Sequence, residues 1–348
     1  MRFAVLLLVF VGILGAGIFG ALRSFNHFSE IPRSFAGQCT PVTGIAGPED
    51  ILITPGAKRV FISSRDRRQP DQRGSIHIFD LADPLAGGGW QDMTSGMPEE
   101  FNPLGIDYFE DGDVRRLFVV NEVNAAIEVF EVAEDGALIH LETFAERRLT
   151  SPNNVVAVGP RSFYVTNDVK QGRDTQIGKL HFLTRQASGQ VLYYNGVAWQ
   201  MAAEGLKFAN GIVLSQDQKR LYVAETAGRA IRVYDRDLET GALFMSSGSG
   251  RITLPTAPDN LSIDESGALW AATLPKPLAV PLHGANPDVI APSQIIRVTP
   301  GGDPQIIYSD DGKELSASTT AARFGQTLLI GALYDEKFLI CDLPAGSI

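Results

Sequence analysis

Residues 211–237 read GIVLSQDQKRLYVAETAGRAIRVYDRD, and no other part of the 348-residue chain shows its repeat as plainly. An apolar strand, a polar turn, a second strand, a second turn and a third strand follow one another there, each strand alternating with period two. The central run, LYVAE from Leu221, has five counterparts: VFISS from Val60, LFVVN from Leu117, FYVTN from Phe163, LWAAT from Leu269 and LLIGA from Leu328. Their starts lie 57, 46, 58, 48 and 59 residues apart. Most are followed by a second alternating run: GSIHIFD from Gly74, AAIEVFE from Ala125, RAIRVYD from Arg229, SQIIRVT from Ser293 and KFLICDL from Lys337. A unit of roughly 50 residues made of short strands cannot bury its apolar side chains alone, whereas stacked neighbours can. Six units predict an all-β fold, a six-bladed β-propeller.

Composition agrees. Apolar residues make up 44% of the chain, enough for a full core, and 35 glycines suit many tight turns. A formal charge of -10 speaks against a nucleic-acid phosphate backbone as partner. The same charge suits a surface that offers carboxylates to a cation, and it equally suits plain solubility.

Arg2 precedes 20 uncharged residues, from Phe3 to Leu22. As a helix rising about 1.5 Å per residue, that stretch just crosses a hydrocarbon core of roughly 30 Å. No Ala-x-Ala cleavage site follows it, so residues 1–22 are expected to be a signal-anchor (transmembrane) helix, with the rest of the chain exported. A cleaved signal peptide and a buried structural helix are the other readings. Residues 23–45 read as an irregular stem, and residues 46–348 as the propeller. The two cysteines, Cys39 and Cys341, stand near opposite ends of that domain. In a propeller the chain ends meet at the seam, where a disulfide would close a loop worth on the order of 5 kcal/mol of chain entropy. Two unrelated thiols are the alternative.

Polar residues stand where inner strands begin: PED at 48–50, PNN at 152–154, FAN at 208–210 and PDN at 258–260. Each precedes an apolar run directly or after one glycine, so all four are expected at one end of the central channel. Glu49, Asn153, Asn210, Asp259 and Asn260 then offer hard oxygens with a total charge of -2. That is the donor chemistry of Ca²⁺. A single Asx residue before a strand is more often a turn cap; four at equivalent positions are harder to explain that way. The five histidines, at 27, 77, 140, 181 and 283, are scattered, and only His283, in a Pro-rich loop, could overhang the channel. No Gly-x-Ser-x-Gly elbow indicates a nucleophilic serine.

Six blocks in order carry a family resemblance: GPEDILI, FNPLGID, NNVVAVGPRSFYVTND, FANGIVLSQDQKRLYVAE, PDNLSIDESGALW and LLIGALYDEKFLICDL. From about Cys39 to Leu343 the chain resembles the paraoxonase/arylesterase family of calcium-dependent lactonases. That family sits among the six-bladed propellers with the gluconolactonases and strictosidine-synthase-like proteins. The resemblance implies an exported protein with a retained N-terminal hydrophobic segment and a disulfide at positions matching Cys39 and Cys341. It implies a catalytic Ca²⁺ on Glu49, Asn153, Asn210, Asp259 and Asn260, the same five residues. It also implies a second, structural Ca²⁺ on Asp50, the carbonyl of Ile106 and position 154, where the family's aspartate is Asn154 here. Loss of that charge weakens the second ion, removes it, or leaves it bound through the amide oxygen.

The chain departs from the family at its histidine dyad, whose positions hold Leu104 and Glu122. A histidine dyad therefore cannot be the base here, and Asp259 is the expected base or nucleophile, with Glu122 as the alternative. The expected substrate is a small lactone or aryl ester, in a pocket shaped by the loops at about 65–73, 169–186 and 275–292. Two other readings stay open: a noncatalytic, calcium-stabilised propeller that binds a small ligand or protein, and a related propeller enzyme with different ester or condensation chemistry.

Overall fold

The computed structural model describes residues 22–57, 59–81, 90–248 and 250–344, with isolated positions before residue 22 and Gly346. The expected anchor over residues 1–22 lies almost wholly outside the described residues. Among those described, no helix is long and apolar enough to cross a membrane.

Six antiparallel sheets form the six blades, each running from an inner to an outer strand. Blade 1 is Pro48–Ile53, Val60–Ser64, Ser75–Phe79 and Gln91–Asp92; blade 2 is Pro103–Asp111, Val114–Asn121, Ala126–Val132 and Leu138–Ala145. Blade 3 is Pro152–Ala157, Ser162–Asn167, Gly189–Asn195 and Trp199–Leu206. In blade 4, Ala209–Leu214, Arg220–Glu225 and Ala230–Arg236 are followed by a split outer edge, Leu243–Met245 and Arg251–Thr253. Blade 5 is Ala257–Ile263, Leu269–Leu274, Ser293–Val298 and Gln305–Asp310, with Ser34–Phe35 added outside.

Blade 6 closes the ring. Its three inner strands are Ser318–Phe324, Thr327–Ala332 and Lys337–Asp342, and its outer strand is Gln38–Thr43. Within the segment 23–45, read as an irregular stem, eight residues are strand: Ser34–Phe35 on blade 5 and Gln38–Thr43 on blade 6. In that pair Cys39 stands opposite Cys341, and the two are joined by a disulfide. The reason lies in pairing: the outer edge of the last blade exposes unpaired backbone groups, and a strand from the chain's start satisfies them.

The apolar side chains are shared between blades, as the repeat requires. Phe61 and Ile76 of blade 1 pack with Leu117, Val119 and Phe130 of blade 2. Trp270 and Tyr308 of blade 5 pack with Leu328 and Leu339 of blade 6, and Ile51 and Val60 of blade 1 meet Leu329 and Phe338 across the seam. Full burial of each such side chain contributes about 1.5–3 kcal/mol, and none of it is available to an isolated blade.

Two segments read as loop or left undecided in the sequence are helical. GKLHFLT, which fits strand or helix by pattern, belongs to helix α1, Gln176–Thr184, started by Thr175, whose hydroxyl accepts from the Gly178 N–H. The Pro-rich stretch after blade 5's second strand holds a short helix α2, Val280–Ala285, with Pro in its first turn. Both lie over one end of the ring.

Candidate functional site

In every inner strand the pairing with the second strand slips at the same place: between Pro48 and Asp50, Pro103 and Ile106, Pro152 and Val155, Ala209 and Ile212, Pro258 and Leu261, and Ser318 and Thr320. A bulge of this kind leaves residues out of the ladder and re-aims their side chains. Glu49, Leu104, Asn153, Asn210, Asp259, Asn260 and Thr319 all fall inside these slips. The motifs picked out by position in the sequence are thus one structural feature repeated around the channel. Close approach of neighbouring strands depends on two glycines. A Cβ on Gly105 would sit 2.4 Å from Asn154, and one on Gly211 would sit 2.5 Å from Asn260.

A cavity of about 540 Å³ covers this end. Glu49, Asn153, Asn210 and Asp259 line it, with Leu104 and Glu122, so five of the singled-out positions open on one space beside the proposed base. Asn260 lies directly behind, its Nδ2 donating to Glu49 Oε1 at 3.1 Å and to the Glu49 carbonyl at 3.2 Å. The three cap loops contribute Arg67, Arg173 with α1 residues Phe182 and Leu183, and Pro277, Leu278, Val280 and Pro281. Phe208 closes the wall and holds a left-handed backbone at φ 65°, a strained state for an aromatic residue.

Several of these oxygens lack partners. Glu49 Oε2, Asn153 Oδ1 and Asn210 Oδ1 are buried with no hydrogen-bond donor. The Asn210 amide is instead oriented by its Nδ2, which donates to Thr226 Oγ1 at 3.1 Å; that hydroxyl donates to the Pro258 carbonyl at 2.7 Å. Burial, with Asp50 nearby, pushes the Glu49 carboxyl well up. Burial also raises Asp259 to about 7. Unpaired buried acceptors and carboxylates forced towards neutrality are costly unless a cation meets them. Among the described residues no three His, Cys, Asp or Glu side chains are grouped to hold a metal by themselves. A cation here has to draw on asparagine oxygens, which fits a hard ion.

The second set is hydrogen-bonded within itself, although burial raises Asp50 to about 6. Asp50, Ile106 and Asn154 line the opposite side of the channel waist. Asp50 already accepts from the Ile106 and Ile51 N–H groups, each at 3.0 Å, and from Thr320 Oγ1 at 3.0 Å. Asn154 turns its Nδ2 towards Asp50 Oδ2 at 3.3 Å and Asn260 Oδ1 at 2.9 Å, while its own Oδ1 accepts from the Val155 N–H at 2.7 Å. An amide nitrogen thus faces the carboxylate.

Glu122 is an ion-pair residue, with Arg65 Nη1 at 3.2 Å and Arg173 Nη1 at 3.3 Å. Burial opposes its charge, but Arg173, Arg67 and Arg65 outweigh this and hold its carboxyl below the usual range. His283 is buried below the cap, bonded to the Val289 carbonyl and to Asp335, so it does not overhang the channel. His77 packs in blade 1 against Trp90.

Other residues reached the site unannounced. Thr319 and Thr320 of blade 6 supply hydroxyls to the Glu49 carbonyl, at 2.7 Å, and to Asp50. Their blade position was the available signal; the lack of an Asx residue hid them. Asp168 ends the run TND in blade 3. It is fully buried, 2.8 Å from Arg173 Nε, and raised by burial to about 7.

A family profile for Arylesterase matches residues 39–343. The chain is 33% identical over 344 residues to mouse (Mus musculus) serum paraoxonase/arylesterase 1, covering 91% of this chain and 92% of that protein. It is 32% identical to rat (Rattus norvegicus) serum paraoxonase/arylesterase 2, covering 97% and 99%. Among solved structures, a gluconolactonase from Xanthomonas campestris superposes with a TM-score of 0.59 at 18% identity, over 91% of this chain and 96% of that one. That likeness reports the fold. By its sequence, the chain belongs to the arylesterase (paraoxonase) family.

Proposed function

We propose that this chain is a calcium-dependent hydrolase of lactones and aryl esters. The observation that carries the reading is the set of three buried oxygens without a donor, Glu49 Oε2, Asn153 Oδ1 and Asn210 Oδ1, brought together from three blades. Asp259 completes a set with the charge of two carboxylates, suited to one Ca²⁺, and Asn260, whose Nδ2 donates to Glu49 and whose Oδ1 accepts from Asn154, holds Glu49 in place from behind. The names of the relatives, arylesterase and paraoxonase, support the reaction class.

An ion bound there supplies Lewis-acid polarisation of the ester carbonyl and stabilises the developing oxyanion. The rest is work for side chains. Asp259 accepts a proton from the attacking water, or attacks the carbonyl carbon itself. Glu122, held by two arginines, positions Arg173 against Asp168. Leu104, Phe182, Phe208 and Leu274 form the apolar wall that excludes bulk water. With Asn154 donating to Asp50, one ion per chain is proposed, without the second, structural one. The Cys39–Cys341 disulfide supports an exported domain, tethered by residues 1–22 or released by cleavage.

Rates on δ-valerolactone and phenyl acetate, with chelator and after calcium is restored, test this. Turnover abolished by chelator and recovered with calcium is expected. The substitution of the family's histidine dyad by Leu104 and Glu122 favours a second reading, a calcium-stabilised binding propeller. Stabilisation by calcium with no turnover of either substrate would select it.

A further inference from the structure

We infer that the cavity recognises substrates carrying a second, negatively charged group, and that Arg67 is the residue that meets it. The inference deepens the hydrolase reading and, for its turnover arm only, rests on it.

Arginines crowd this cavity. Arg67 and Arg173 line it, and Arg65 reaches the same carboxylate, Glu122, that Arg173 does. Two of the three are spoken for: Arg65 pairs with Glu122, and Arg173 pairs with both Glu122 and Asp168. Arg67 has no carboxylate within ion-pair distance among the described residues. Its Nη1 makes only long bonds to backbone carbonyls, at 3.4 Å to Gly47, 3.5 Å to Arg65 and 3.4 Å to Leu333. Its Nη2 is buried with no acceptor at all. A guanidinium held by its edge in this way feels Glu122 and Glu49 only at a distance and makes no direct pair with a carboxylate, although planar carboxylates are its best partners.

Charge points the same way. One divalent cation on Glu49 and Asp259 would cancel those two carboxylates. Glu122 and Asp174 then face Arg67, Arg173 and Lys179 across the cavity, and Arg65 and Asp168 behind them offset each other. One positive charge is left over, in a cavity whose remaining wall is mostly apolar. An otherwise acidic protein has therefore kept a local excess of cations beside the reacting centre. A lactone or ester bearing a carboxylate fits that excess, with its acyl group towards Asp259 and its anion towards Arg67. Hydrolysis adds one water across the acyl C–O bond, yielding a hydroxy dicarboxylate and one proton, and no other reactant is needed.

The experiment compares 5-oxotetrahydrofuran-2-carboxylate with neutral γ-valerolactone on calcium-loaded protein, and measures calorimetric binding of the product, 2-hydroxyglutarate. Wild type is expected to favour the anionic lactone, chiefly through KM. In Arg67→Gln the ratio of kcat/KM values, anionic over neutral, should fall roughly 10- to 100-fold, the loss of one charged hydrogen-bonding partner. Binding of 2-hydroxyglutarate should weaken in parallel, and Arg67→Lys should recover part of both. An unchanged ratio, or unchanged binding in Arg67→Gln, overturns the inference. If neither lactone turns over, the hydrolase reading has failed, and the calorimetry alone still decides whether Arg67 binds the anion.

Discussion

Asn154 Nδ2 donates to Asn260 Oδ1 at 2.9 Å, joining the inner strands of blades 3 and 5 across the channel waist. The same nitrogen faces Asp50 Oδ2 at 3.3 Å, and on the proposed single-ion reading it takes the part of a second cation. Wild-type protein is expected to hold one Ca²⁺ per chain by elemental analysis after gel filtration. Asn154→Asp should raise that to two. In chelator it should be destabilised by about 3 kcal/mol or more, because a carboxylate then faces Asp50 in a buried site.

Asp259 and Glu122 are separated by their surroundings: one buried and pushed up to about 7, the other held down by arginines. At saturating calcium, Asp259→Asn should lower kcat by roughly 10²–10⁴, the range for loss of a general base. Glu122→Gln should lose less than about 10-fold, through Arg173. Near-normal kcat in Asp259→Asn together with collapse in Glu122→Gln would move the base to Glu122.

Calcium should also act on stability. The three donorless oxygens and the raised Glu49 make the metal-free site costly. At a free calcium concentration of about 100 times its Kd the folded state should gain about 2.7 kcal/mol, read as a shift in urea midpoint or Tm. A midpoint that calcium leaves in place would remove the site.

Cys39 and Cys341 are 302 residues apart in sequence and paired in one blade. Thiol titration of the unfolded, unreduced protein should find none free. Reduction or Cys341→Ser should cost on the order of 2–5 kcal/mol in denaturant unfolding, the upper figure being the chain-entropy limit.

His77 gives the pH signature. Burial lowers its imidazole to about 4, against a usual value of 6.5, while Ser75 Oγ lies 2.8 Å from its Nε2. A depressed histidine is neutral when folded, so its contribution is complete above pH 6.5 and is lost as pH falls towards 4. Between pH 7 and pH 5 the expected loss is about 2 kcal/mol. His77→Gln should lack that share of the acid sensitivity when urea midpoints are compared at the two values.

The blade count was legible because it is local information. Period-two alternation in LYVAE and its five counterparts, spaced by turns, says strand by strand what must be buried. The residues at the inner strand starts were legible for the same reason, since equal positions in equal blades converge. Glu49, Asn153, Asn210 and Asp259 do line one cavity. The helix over Gln176–Thr184 was not, because GKLHFLT fits either period, and packing over the channel mouth chose between them.

Sequence by itself determined a six-bladed ring and the donor types available at the channel, and it pointed to closure between Cys39 and Cys341, which the pairing of the two strands decided. Tertiary structure alone decided which donors are left wanting a partner. Asp50 is satisfied by Ile51, Ile106 and Thr320, Asn154 spends its amide on Asp50 and Asn260, and Arg67 has no carboxylate within ion-pair distance among the described residues. Those outcomes depend on distances between strands some 50 to 270 residues apart in the chain. Hydrogen bonds and ion pairs are settled within a few tenths of an ångström, a precision that periodicity in a sequence does not carry.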